Sequence, residues 1–207
     1  MSARSPNKKP WSLKWIAIII LACIIPYTWI TIRYRKPGPA FQPYEDSKNR
    51  ANVMRLLDAG YQRVAVDALR PADPARTAPS GPAAEVAAAP GGLPPRLSGT
   101  LVEIPLMPDR INSVTALRES TVNTAYRLQF TCSAPDNKEQ LSGAEVYVRD
   151  RELTLIPTFE KIEGSLLART AESVVLIEIP AGTLKPGRYV ATLVGARQSQ
   201  RWNLDVR

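Results

Sequence analysis

The chain has 207 residues, a formal charge of +8 and no histidine. Without histidine it lacks the commonest metal ligand and the usual general acid–base group, so neither a Ser-His-Asp nor a Cys-His arrangement can form within it. Its charge is unevenly placed: residues 1–32 hold Arg4, Lys8, Lys9 and Lys14 and no acid, residues 33–70 hold eight bases against four acids, and residues 71–207 balance fifteen against fifteen. The excess therefore flanks one apolar run, a pattern that suits anionic lipid head groups. A nucleic-acid footprint needs its bases on a folded face, and the neutral remainder argues against that partner.

Residues 1–14 read as a basic tail. Trp15 to Ile32 then runs for eighteen residues without a charge, which as a helix covers roughly 27 Å, close to the hydrocarbon thickness. Trp15, Tyr27, Trp29 and Tyr34 lie toward the ends, where amphipathic rings prefer the interface. Pro26 is expected to loosen the helix, which a membrane span tolerates. Three fates compete for this run. Cleavage as a signal peptide needs a small-x-small site, and bulky then basic residues follow instead. Lipoprotein processing at Cys23 would leave a greasy "IIPYTWITI" behind the cysteine. A retained single-pass span is the expectation, with Cys23 a small apolar residue. Bases on the two sides nearly balance; the short basic tail points to a signal anchor with a cytoplasmic N-terminus and an extracytoplasmic, periplasmic-type domain at the cell (inner) membrane.

Residues 33–70 read as a membrane-proximal segment. After a Pro37-Gly38-Pro39 hinge, a helix is expected over 45–59, capped by Asp46 or Ser47 and ended by Gly60 in the left-handed conformation. Val53, Met54, Leu56 and Leu57 form one apolar stripe, a candidate docking face for a membrane protein. "RVAVDAL" alternates with Val64, Val66 and Ala68 on one face, as a short strand does. Residues 71–96 carry seven prolines between Pro71 and Pro95 and few bulky apolar side chains, so this stretch reads as a flexible linker.

From residue 97 the pattern becomes that of strands. "TVNTAYRLQFTC" sets Val122, Thr124, Tyr126, Leu128, Phe130 and Cys132 on one face. "AEVYVRD" repeats the device with Ala144, Val146 and Val148. "SVVLIEI" is apolar on nearly both faces and is expected at the sheet centre. "RYVATLV" and "RWNLDV" follow, the latter burying Trp202, Leu204 and Val206. "GTLVEI", "INSVTAL", "LTLI" and "SLLART" are weaker strand candidates. Seven to nine short strands separated by turns predict a mainly β antiparallel sandwich over 97–207. The motif Leu184-x-Pro186-Gly187-x-Tyr189 resembles the tyrosine corner of immunoglobulin-like and fibronectin III-like domains. That resemblance implies a buried Tyr189 ring whose hydroxyl bonds to backbone upstream. The antibody-type cysteine pair is absent, and Trp202 stands in the last strand.

No residue set specifies a chemistry, and the expected catalytic, cofactor and metal sites are none. Glu160 and Glu163 in "FEKIEG" read as a polar loop or edge. Cys132 on an apolar face reads as an inert core thiol. Copper carriage needs clustered Met, Cys or His, whereas Met54 and Met107 are isolated. "SGAEV" and "PSGP" lack the glycine and lysine spacing of a phosphate loop. The layout is similar to that of small anchored sandwich proteins of respiratory oxidase assembly. The expected role is a non-enzymatic accessory or assembly subunit of a larger membrane complex, contacting the bilayer and reaching its partner through the 45–59 helix or the sandwich. The competing expectation is an anchored binding module for a glycan or peptide.

Overall fold

A computed structural model describes residues 12–34, 43–134, 136–162, 164, 166–168 and 170–207. The expected basic tail up to residue 11, the Pro37-Gly38-Pro39 hinge and Glu163 lie outside these residues. The chain divides into two units between Gln42 and Pro43.

The first unit is helix α1, Leu13–Tyr34, in which no residue is buried. Its length and apolar composition suffice to cross a membrane. Pro26 sits inside it and cannot donate the i−4 bond. Beyond it the Thr31 hydroxyl bonds back to the Tyr27 carbonyl at 2.8 Å. At the end, the Arg33 guanidinium lies over the Trp29 ring, an attraction of charge for the ring face.

The second unit begins with helix α2, Pro43–Asp58. It starts ahead of the expected Asp46/Ser47 cap, with proline at its opening turn, where the missing N–H costs nothing. Gly60 takes φ +79°, as expected. Its N–H bonds Leu57 O and the Tyr61 N–H bonds Leu56 O, the paired closure that uses a left-handed glycine to satisfy the last carbonyls.

Eleven strands follow: β1 Gln62–Val66, β2 Ala68–Leu69, β3 Ala87–Pro90, β4 Arg110–Ala116, β5 Glu119–Ser120, β6 Tyr126–Ser133, β7 Glu139–Arg149, β8 Glu152–Lys161, β9 Glu172–Ile179, β10 Gly187–Leu193 and β11 Gln198–Val206. Two short helices, α3 Pro74–Thr77 and α4 Pro95–Thr100, interrupt the series. The strands form one sheet in the order β1-β7-β8-β10-β11-β4-β6-β9-β2, with β3 and β5 also on β11. It curls into a half-barrel. Its two end strands are consecutive pieces of one extended stretch: β1 pairs with β7, and beyond Asp67 β2 pairs with β9.

The inner face encloses the main core. Alternation works here as the sequence predicts: Tyr126, Leu128, Phe130 and Cys132 of β6 and Trp202, Leu204 and Val206 of β11 are buried. A second, smaller core lies on the other face of the β7–β8 hairpin. There Leu56 and Tyr61 from the α2 end and Leu97 and Leu101 around α4 pack on Tyr147, Ile156 and Val194.

Several expectations need correction. The sheet is not wholly antiparallel: β8 runs parallel to β10, and β11 runs parallel to β4 and β5. The strand buried on both faces is β8, because the two cores grip it from opposite sides, whereas β9 keeps half-exposed residues. "GTLVEI" is the end of α4 and the turn after it, and the described residues of "SLLART" form no strand. Val122 and Thr124 fall in the turn before β6.

The 71–96 stretch is also ordered against the domain. Its β3 pairs antiparallel with β11, and Ala83 bridges Leu117. Composition undercounts such a segment because backbone hydrogen bonds along an open strand edge need no bulky side chain. Residues 43–70 likewise belong to the β unit, since β1 and β2 complete its sheet.

Candidate functional site

Three surfaces stand out among the described residues. The first is the outward side of α2. Its inward side is clamped: Leu56 is 1 % exposed, Asn52 Oδ1 accepts the Val102 N–H at 3.2 Å, Lys48 pairs with Glu103, and Arg55 donates to Gly99 O at 3.4 Å. Opposite stand Val53, Met54 and Leu57, which are 42 %, 56 % and 60 % exposed. The predicted single stripe is therefore split: Leu56 faces the domain and the other three face away. A shallow groove lined by Val53, Leu57, Tyr61 and Arg63 runs beside them.

The second is a cleft between the α2 side and the β7–β8 hairpin, lined among others by Asn52, Ile104, Glu145 and Phe159. On its floor Arg63 pairs with Glu145, and the Tyr147 hydroxyl donates to the same carboxylate. Tyr147 is fully buried, and burial first, then the Glu145 carboxylate, holds its phenol above the ordinary range against the pull of Arg63. This network joins β1 to β7 and closes the rim of the smaller core.

The third is a cleft of about 540 Å³ over the outward faces of β10 and β11, walled by the chain leading into β3. Arg118, Arg188 and Arg201 line it with Glu85, Asn203 and Asp205. Arg188 Nε donates to Asp205 at 3.0 Å, and Arg201 Nε reaches the Thr192 hydroxyl at 3.4 Å. Arg118 has no ion-pair partner among the described residues. Sequence reasoning did not single out these arginines. Arg188 and Arg201 occupy outward positions of two alternating strands and share one face of the hairpin only through its register, at levels four positions apart; Arg118 arrives through tertiary packing.

The residues weighed for chemistry fall apart in space or into the core. Cys132 is fully buried, and burial pushes its thiol up to about 12, with Glu172 adding and Arg70 opposing. Cys23 is exposed on α1. Glu160 accepts a 2.7 Å bond from Gln140 Nε2 on the neighbouring strand. Met54 faces outward on α2, while Met107 packs on the smaller core. Among the described residues no group of three His, Cys, Asp or Glu is placed to hold a metal ion.

The motif residues meet their geometric expectation. Tyr189 is 2 % exposed; its hydroxyl donates to Lys185 O at 2.9 Å and accepts the Lys185 N–H at 3.1 Å. Gly187 takes φ +143°, and a Cβ there would meet the Arg151 guanidinium at 1.9 Å. Within the main core a polar chain links β11 to β6: Trp202 Nε1 donates to the Tyr126 hydroxyl at 3.0 Å, which donates to Leu117 O at 3.0 Å. Comparison with known proteins finds no family model, no curated protein and no solved structure that matches this chain.

Proposed function

We propose that the chain is a single-pass membrane protein, anchored by α1, whose extracytoplasmic immunoglobulin-like β domain is a non-enzymatic accessory or assembly subunit of a larger membrane complex. The observation that carries this reading is the two-sided character of α2. One side is fastened to the β domain by Leu56, Asn52, Lys48 and Arg55, so the helix is a rigid presenter. The other side offers Val53, Met54 and Leu57 to a partner. Exposed apolar residues grouped on one face mark interaction surfaces. Residues 35–42 are all that separate α1 from α2 in the chain, which favours a partner that is itself in the membrane.

The Tyr189–Lys185 bonds support the immunoglobulin-like reading of the domain. The uncharged run 15–32 within α1 supports the anchor. The basic tail supports an N-terminus on the cytoplasmic side.

The test is recovery from native membranes in mild detergent with a C-terminal tag. The expected result is a carbonate-resistant protein that brings a membrane complex with it in fixed proportion. In a cell with two membranes the domain should become open to protease once the outer barrier is breached, while the inner membrane is intact. Val53→Asp with Leu57→Asp should abolish co-recovery and leave the protein folded and membrane-bound. Recovery as a monomer, or release by carbonate, overturns the proposal.

A further inference from the structure

The cleft over β10 and β11 carries a small excess of positive charge. Residues 71–207 are charge-balanced, whereas Arg118, Arg188 and Arg201 line this cleft against Glu85 and Asp205, the latter already paired with Arg188. We infer that this cleft binds an extended acidic peptide, whose carboxylates are taken by the three arginines along its length. The inference goes beyond the accessory role and stands on a different surface from α2.

The hairpin register sets the spacing. Arg188 pairs across with Asp205 and Arg201 with Thr192. The two arginines are therefore four positions apart along the ribbon, about 14 Å at 3.4 Å per residue. Val190 and Asn203 lie opposite each other between them on the same face. A peptide in extended form repeats its side chains on one face roughly every 7 Å, so acids four positions apart reach Arg188 and Arg201 while the residue between them lies over Val190 and Asn203. An isolated phosphate would want its donors converging on one point, and this track is drawn out instead.

The guanidiniums have capacity left. Arg188 is held through Nε on Asp205, which fixes the side chain and leaves its other N–H groups free to fork onto a carboxylate. Arg201 is steadied through Nε on the Thr192 hydroxyl in the same way. One wall contains Ala83 and Ala87, small enough for a peptide backbone to approach. The aromatic in the lining, Trp202, is 2 % exposed and turned to the core. A sugar ring therefore has no exposed face to stack on, which favours a peptide over an anionic glycan.

The experiment uses the full chain in nanodiscs of zwitterionic lipid and a short fluorescent peptide with glutamate at every fourth position, read by anisotropy. Binding is expected, and it should fall steeply with salt and vanish for the glutamine version of the peptide. Arg118→Gln and Arg201→Gln should each weaken it about tenfold, the loss of one charge-assisted fork onto a carboxylate. Both side chains are outward, and unchanged thermal unfolding would verify the fold. Arg118→Lys and Arg201→Lys should lose less, because charge is kept and the fork is lost. Gln at Arg33, Arg35 and Lys36 should leave affinity unchanged. Equal binding by the Arg118 and Arg201 variants overturns the inference, as does loss confined to the Arg33/Arg35/Lys36 variant. Displacement by inorganic phosphate or a sulfated oligosaccharide at matched charge concentration also overturns it.

Discussion

The two cores of the β unit are built by different rules. The main core inside the half-barrel is assembled from residues that alternate along strands: Leu128, Phe130 and Cys132 on β6, Val175, Ile177 and Ile179 on β9, and Leu204 with Val206 on β11. The smaller core draws single residues from separate elements, with Leu56, Tyr61, Leu97, Leu101 and Val194 meeting Tyr147 and Ile156 on the hairpin's far face. The first core defines the sheet. The second fastens α2 to it and so decides which α2 residues face out. In the proposed docking role, the small core holds the interaction surface in place while the large one supplies stability.

The sharpest way to break this division is to truncate one residue in each core. Trp202→Ala removes the largest buried side chain of the main core and takes away the indole N–H bonded to the Tyr126 hydroxyl. A loss of about 3–5 kcal/mol is expected from such a truncation, with the whole β unit unfolding in one denaturant transition at a lower midpoint. Leu56→Ala cuts the smaller core at a fully covered residue of α2. About 2–3 kcal/mol is expected there, with a different signature. Amides of α2 and α4 should exchange faster while those of β6, β9 and β11 keep their protection. Uniform loss of protection across the sheet in Leu56→Ala would show that the two cores are one cooperative body.

The same contrast explains what could be read in advance. Alternation on β6, β10 and β11 is a short-range signal, and the buried faces of these strands follow from it residue by residue. The tyrosine motif was legible for a similar reason, since Tyr189 bonds Lys185 within one turn of chain. The smaller core was not legible. Tyr147 sits at a position that alternation assigns to solvent, and it is buried because α2 and α4 return to cover it. The parallel neighbour of β10 could not be inferred either, because β8 is placed there by a crossing through β9 in a different part of the sheet. Likewise, β3 docks through backbone bonds, and the alanines of 87–89 give no apolar signal to reveal it. The arginine cleft follows the same logic: its residues are unremarkable in sequence, and register with tertiary packing sets them along one surface.

The smallest effect sits at the edge of the main sheet and tests whether that rim is optimised for stability. Glu139 opens β7, its carboxyl is covered, and Oε2 has no hydrogen-bond partner among the described residues. Burial first, then the Asp136 carboxylate, raises its pKa, and Lys161 across the strand pair opposes the shift. A carboxyl whose folded pKa is raised keeps its proton more readily in the folded state. Its stabilising contribution is present below the unfolded value and is lost as pH rises through the folded one. At neutral pH the ionised group is thus a burden, and Glu139→Gln should unfold at a slightly higher temperature than the native chain. The gap should close as pH falls toward the unfolded carboxyl value, because the native residue then carries its proton too. A Tm difference that stays constant across that range would assign the gain to packing instead of charge. A Gln variant less stable at neutral pH would mean that the pairing with Lys161 outweighs the cost of covering the carboxylate.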